Sequence, residues 1–226
     1  MNTGKQDTLV ICSSRGRPQR FEEFYTSFKE NTSGRSSFVL RLDDDDPKCK
    51  DYVIKDDVDI IVKERQGLVA NINQIFWENP DYKYYSFLSD DAVIRTKNWE
   101  DSLIEIIEKN GGWGYASAND LIKNGKHLLS FGILSANIPK RLGYIFNPIF
   151  KHLWSDTWMT ELLNELKMAF FAPDTIIEHK HWAHGKSERD QTYNEVQATW
   201  WQGRRAYKSW QQQGKAEEVK KLWQKQ

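Results

Sequence analysis

Hydrophobic and polar positions come in blocks along the first half of the chain. Residues 8–12 (TLVIC) form a short apolar run that stops at Ser13, Ser14, Arg15, Gly16, Arg17 and Pro18, which predicts a buried strand and then a loop. Between 21 and 30, apolar or aromatic residues fall at 21, 24, 25 and 28, the spacing of a helix with one buried face. A second run, 37–42 (SFVLRL), is halted by the acidic tract 43–46 and Pro47, and a third covers 60–62. Apolar positions 68, 69, 72, 75 and 76 predict a helix over 68–77. Residues 84–88 (YYSFL) predict a fourth strand ending on Ser89, Asp90 and Asp91. Asn98 stands where it would cap a helix reaching 109, and Gly111 and Gly112 would end it.

This order of strands and helices predicts an α/β fold with a mainly parallel sheet. In such sheets ligands bind beyond the carboxyl ends of the strands. The polar clusters 13–17, 43–46 and 90–91 all fall at those ends. The second half is less regular. Strands are expected over 114–117 and 128–134, a helix over 158–166, and a short strand at 176–177 just before His179. From 191 onward the chain is polar, charged and rich in Trp, which predicts one or two helices packed back on the domain. The expected division is therefore a ligand-binding domain over 1–190 and a helical extension over 191–226.

Composition narrows the chemistry. With 226 residues, the chain is long enough to bury a substantial core. Lys plus Arg and Asp plus Glu both total 32, which excludes a globally basic nucleic-acid binder. Mean hydropathy is −0.73, and no apolar run approaches the roughly 18 residues of a membrane helix, so no membrane span is expected. The polar start carries no secretory signal, and two cysteines, Cys12 and Cys49, make no disulfide framework. A cytoplasmic setting follows as the expectation. Ten Trp residues point to aromatic faces in a core or a pocket.

Five constellations carry candidate chemistry. Asp90 and Asp91 are hard oxygen ligands suited to Mn²⁺ or Mg²⁺. A lone Asp pair is more often a solvated turn, but a buried strand would deliver this one to a fixed place. The tract from Asp43 to Asp46 lacks the glycine and glutamate of an EF-hand loop. Its first members are suited to accept hydrogen bonds from a ribose hydroxyl or a base N–H. His179, His181 and His184 share the spacing of the metallo-β-lactamase zinc motif but lack its Asp, since Ala183 stands there. One of them completing the coordination of an ion at Asp91 is the better reading. Asp156 lies between Trp154 and Trp158, where aromatic neighbours would raise its pKa toward that of a general base; a helix N-cap role is compatible. Arg15, Gly16 and Arg17 suit a diphosphate or nucleobase, although neither a P-loop nor a G-x-G-x-x-G is present.

In order, SSRGRP, DDDD, GLVANIN, YYSFLSDDAVIRTKNWE and DTIIEHKHWAHGKSERDQTY resemble the nucleotide-sugar half and the C-terminal metal-histidine region of GT-A glycosyltransferases, in particular a family 2-like group with an RGRP start. The resemblance covers roughly residues 8–193. It implies a Rossmann-like α/β/α sandwich and a metal-dependent transfer of a sugar from a nucleoside-diphosphate sugar to an acceptor hydroxyl. The metal would be held by Asp91 with His181, and His179 second. The donor would be bound by Ser13, Arg15, Arg17, Asp43 or Asp44, Asn71 and Asp90. Asp156 would be the base of an inverting hexosyl or pentosyl transfer. Ser89 stands where the usual Asp-x-Asp has its first acid. Glycans, lipid-linked glycans and a modified DNA base all offer an acceptor hydroxyl. Nucleic acid is not favoured, because Glu217 and Glu218 dilute the basic, Trp-containing tail. The competing readings are a nucleotidyltransferase, for which the Gly-rich triphosphate loop is missing, and a binding module without turnover.

Overall fold

The computed structural model describes residues 6–53, 57–122 and 128–223. Its centre is an eight-stranded sheet with the order β3-β2-β1-β4-β7-β6-β8-β5. Strand β1 (Thr8–Ser14) lies parallel between β2 (Ser36–Asp43) and β4 (Tyr84–Leu88), and β3 (Asp59–Lys63) adds parallel to β2. A continuous apolar run marks a strand buried on both faces, and β1 shows why. Leu9 and Ile11 enter one core, while Val10 and Cys12 enter the other.

Helices α1 (Pro18–Asn31) and α3 (Trp99–Lys109) cover the second of these cores with Phe21, Phe24, Tyr25 and Phe28, and with Trp99, Leu103, Ile104 and Ile107. Pro18 opens α1, where its fixed φ suits a first turn. Helix α2 (Leu68–Glu78) faces the first core through Val69, Ile72, Ile75 and Phe76, as its spacing predicts. The same core takes Trp158, Met159, Leu162 and Leu163 from α5 (Ser155–Glu165) and Leu222 from α8 (Lys215–Trp223). The result is the expected α/β/α sandwich around a mainly parallel sheet, with helices at the C-terminal end.

The departures from expectation lie where the pattern is short. Strand β5 (Ala92–Ile94) and helix α4 (Asn137–Leu142) carry too few residues to show a period. Strand β6 is Tyr115–Asn119, and β7, expected over 128–134, is reduced to Gly132–Ser135, antiparallel to both β4 and β6. Strand β8 runs over Ala169–His179, much longer than the two apolar residues that announced it. A register shift opposite Ala118 and Asn119 breaks its alternation. Asn98 does sit at the start of α3, but in a left-handed conformation whose backbone carbonyl, not its side chain, receives the first helical N–H groups. Helix α5 starts earlier than its expected 158, and Trp154, not Ser155 or Asp156, is its N-cap.

Beyond 190, α6 (Gln191–Ala198) and α7 (Trp200–Ser209) are joined at Thr199, and a π-helical turn over Trp210–Gly214 leads into α8. One buried carboxylate ties this end down. Glu218 accepts hydrogen bonds from the indoles of Trp158 (2.9 Å) and Trp210 (2.8 Å), from Asn147 (2.6 Å) and from the Tyr144 hydroxyl.

Candidate functional site

The site is built at the carboxyl ends of β1, β4 and β8. Strand β4 ends at Leu88, so Asp90 and Asp91 follow in the turn into β5 and are both buried. The short β5 then pairs antiparallel with the end of β8, Ala92 opposite His179. That pairing, sealed by the Lys180 N–H donating to the Asp91 carbonyl at 2.8 Å, sets the late histidine against the early acid. His179 Nε2 lies 3.3 Å from Asp91 Oδ2. The same carboxylate accepts from the Tyr193 hydroxyl at 2.6 Å and from Ser89. Burial alone would raise the Asp91 pKa. The hydrogen bonds from His179, Ser89 and Tyr193 outweigh it and hold the carboxyl well below the usual range.

Asp90 behaves oppositely. It accepts from Ser14 Oγ (2.5 Å) and from Arg17 Nη1 (3.0 Å). Burial pushes its pKa up to about 6 against the pull of Arg17, with the neighbouring Asp91 adding to the rise. Arg17 is 8% exposed and forms a fork with Asp190, Nε to Oδ2 at 2.7 Å and Nη2 to Oδ1 at 2.8 Å. Its guanidinium also lies 4.0 Å from the Tyr193 ring centroid. Desolvation disfavours its charge, but the Asp190 and Asp90 carboxylates raise its pKa further above the ordinary value.

The loop before α1 is held by the acidic tract. Gly16, at φ +71°, donates its N–H to Asp46 Oδ2 at 2.7 Å, a left-handed turn that a glycine accommodates without strain. Arg15 pairs with Asp45 and lies 3.4 Å from Asp43. Asp43 is buried at the end of β2, with Arg41 Nη1 3.6 Å away, whereas Asp44 is exposed. Asn71 on α2 donates to Ser13 Oγ at 3.2 Å, while its own Oδ1 is buried and without a hydrogen-bond partner. Thus the structure brings Ser13 to Asn71, Arg15 to Asp43, Arg17 to Asp90, and Asp91 to His179.

Two expectations are corrected. The Asp156 carboxylate is not desolvated by its Trp neighbours. It is exposed in the first turn of α5 and accepts from the Thr157 N–H at 2.7 Å, because Trp158 turns into the core and Trp154 packs on Trp200 and Tyr207. Of the histidines, expected in the order His181 then His179, it is His179 that lies 3.3 Å from the Asp91 carboxylate, and His181 lies beside His179. The His181 Nδ1 accepts the Ala183 N–H at 3.2 Å. Burial, with His179 nearby, pulls its pKa down to about 4. His184 is exposed.

Among the described residues, no group of three or more His, Cys, Asp or Glu side chains is placed to hold a metal ion. The Asp91–His179 pair nonetheless offers a carboxylate oxygen and an imidazole nitrogen side by side. This donor set fits a divalent cation that keeps waters and takes the rest of its shell from phosphate oxygens. Residues that the sequence did not flag also belong here: Ser14, Asp190, Tyr193 and His152. Arg17 and Asp91 act electrostatically on the His152 ring, and its pKa falls to about 4 through burial first and Arg17 second. Asp190 and Tyr193 had one legible sign, since an Asp before a helical stretch is a capping pattern. Indeed Asp190 caps α6 by accepting the Tyr193 N–H at 3.0 Å. His152 had none.

No protein-family model matches the sequence, and no curated protein does. Solved structures match in shape. The mannosyltransferase PcManGT from Pyrobaculum calidifontis, in complex with GDP-Man and Mn²⁺, superposes with a TM-score of 0.60 at 12% identity over 98% of this chain and 80% of its own. TarS from S. aureus gives 0.56 at 11% identity over 76% of this chain. TarS 1–349 in complex with UDP gives 0.57 at 10% identity over the same share. This chain spans 36% of the full TarS chain and 59% of the shorter one. The fold is therefore of the GT-A type found in these glycosyltransferases, and at such identities the likeness defines the fold.

Proposed function

We propose that this chain is a metal-dependent glycosyltransferase that moves a sugar from a nucleoside-diphosphate sugar to an acceptor hydroxyl. The observation that carries the reading is the β5–β8 pairing, which sets Asp91 and His179 3.3 Å apart beside the Arg17–Asp90 pair at the strand ends. Support comes from the fold neighbours, one with GDP-Man and Mn²⁺ and one with UDP.

In this reading Asp91 and His179 hold Mn²⁺ or Mg²⁺, with Asp90 beside them. When bound, the ion neutralises the charge that grows on the leaving nucleoside diphosphate. Arg17 and Arg15 supply guanidinium donors to the same anion. Ser13, Asn71, Asp43 and the exposed Asp44 line the nucleoside end, where their acceptor oxygens meet ribose hydroxyls or base N–H groups. The Asp156 carboxylate is exposed and accepts from Thr157. The same carboxylate takes the proton of the acceptor hydroxyl as that oxygen attacks the anomeric carbon and the diphosphate departs, which inverts the centre. Whether the sugar is a hexose or a pentose is set by the donor. The acceptor is a glycan or lipid-linked glycan in preference to nucleic acid. No described helix is long and apolar enough to cross a membrane.

The test is a thermal-shift screen of nucleoside-diphosphate sugars with Mn²⁺. A donor at 100 times its dissociation constant adds about 2.7 kcal/mol to stability, a shift well outside noise. Asp91→Ala is expected to abolish the metal-dependent part of that shift. If no nucleotide raises the melting temperature in the presence of Mn²⁺, the reading fails.

A further inference from the structure

The groups that the proposed function needs for a diphosphate are already occupied by the chain's own residues. Arg17 directs Nη1 at Asp90, and its two remaining fork donors, Nε and Nη2, go to the Asp190 carboxylate. A guanidinium fork accepts a carboxylate or a phosphate with nearly the same geometry. Asp91 Oδ2, the oxygen nearest His179, is taken by the Tyr193 hydroxyl. Both occupants come from one short stretch, Asp190 to Tyr193, at the start of α6. Thr192 fastens the same stretch to the Arg15 carbonyl at 3.0 Å, and Arg20 donates to the Glu188 carbonyl at 3.0 Å.

Three features distinguish this stretch from a fixed wall of the site. Its attachments are mostly polar, and Tyr193, whose ring meets His181 and Trp182, is the one buried residue of α6, so the apolar surface opposing release is confined to one side chain. The Asp190 side chain is 31% exposed, against 8% for Arg17, so a competitor reaches the fork from the solvent side. The stretch is bounded by Gly185 at φ +70°, with open space around it, and by the break between α6 and α7 at Thr199. Charge adds to this: the Asp190 carboxylate occupies the Arg17 donors that a diphosphate would use, and two anions cannot share that fork.

We infer that α6 is a latch in which the Asp190 carboxylate stands in for the donor's diphosphate on Arg17, and that donor binding displaces Asp190 and frees Asp91 from Tyr193. The inference rests on the donor reading above for the identity of the natural ligand, but the latch itself concerns any diphosphate anion. In the free protein the latch keeps Arg17 paired with Asp190 and Asp91 with Tyr193. The cost is weaker donor affinity, since the ligand must first break the Asp190 fork.

The experiment is isothermal titration of the full chain and its Asp190→Ser variant with inorganic pyrophosphate free of metal, and with UDP and GDP each in Mn²⁺. Serine keeps an N-cap acceptor for α6 and removes the competing charge. The expected result is pyrophosphate binding at least tenfold tighter in the variant. In the unmodified protein, the backbone amides of 190–196 should exchange faster with deuterium when ligand is bound. Equal or weaker binding in Asp190→Ser, no binding to either protein, or slower exchange over 190–196 on ligand addition each overturns the latch. Tighter pyrophosphate binding in the variant, with no binding of UDP or GDP by either protein, keeps the latch and removes the nucleotide-sugar reading. The exchange measurement needs no variant, so it decides the question even if the substitution harms folding.

Discussion

His152 ties stability to pH through a single side chain. In the folded protein its pKa is about 4, through burial first and the Arg17 guanidinium second, against 6.5 for an unperturbed histidine. The unfolded chain therefore takes up a proton near pH 6.5, and the folded chain does so only near pH 4. Stability from this group is complete above about pH 6.5 and is lost as pH falls toward 4, on the order of 3 kcal/mol in all. Melting temperature followed from pH 7 to 4.5 should fall with a shallower slope in His152→Asn than in the parent. An identical slope would remove His152 as the source. Asp156 makes the complementary prediction for chemistry. Asp156→Asn should leave donor affinity unchanged and lower turnover by about 10²- to 10⁴-fold; full transfer activity in that variant would end its role as base. The acids were legible at this scale because they close apolar runs. His179 was visible as one of a cluster, but its place beside Asp91 was not, since that depends on the pairing of β5 with β8. Asp156 misled because its neighbours in sequence, Trp154 and Trp158, point away from it.

At the scale of elements, the decisive piece is β5, three residues that no period could announce. It turns the chain leaving Asp91 so that β8 arrives with His179 opposite. The central parallel strands were readable because burial on both faces leaves an unbroken apolar run. Strand β8 was not, because Pro173 and the register shift interrupt its pattern. Helix packing beside the site makes a further prediction. A Cβ on Gly203 of α7 would lie 2.5 Å from the Leu153 carbonyl oxygen and 2.7 Å from Trp154 Cδ1. That carbonyl belongs to the backbone linking His152 to Asp156, so it cannot swing aside as a side chain would. Gly203→Ala gains helix propensity worth about 1 kcal/mol but should be outweighed by overpacking of about 1–3 kcal/mol. A lower melting temperature in that variant is the expected outcome, and a rise would show that α7 can slide.

For the molecule as a whole, the carboxyl-terminal helices are part of both the core and the site. Leu222 and Trp210 lie in the core that α2 and α5 face, and Tyr193 touches Asp91. Glu218 is the fastening, with both oxygens satisfied by neutral donors from two other segments and from its own end of the chain. Glu218→Ala would strand the indole N–H groups of Trp158 and Trp210 without acceptors, and each such buried donor costs about 1–3 kcal/mol. A drop in the urea midpoint with an unchanged slope should report it. The sequence could show that this segment is helical and rich in Trp. It could not show that a glutamate among lysines is the buried one, because burial there is decided by partners distant in the chain.

The pairing of Asp91 with His179 also sets the order of events at the ribosome. The amino-terminal strands emerge first and can begin to assemble, yet the acidic turn at Asp91 has no partner imidazole until β8 has cleared the exit tunnel. A nascent chain stalled anywhere short of that strand has the parallel strands of the sheet but not the Asp91–His179 pair. Ion-dependent ligand capture should therefore arise late and abruptly in a series of growing chains.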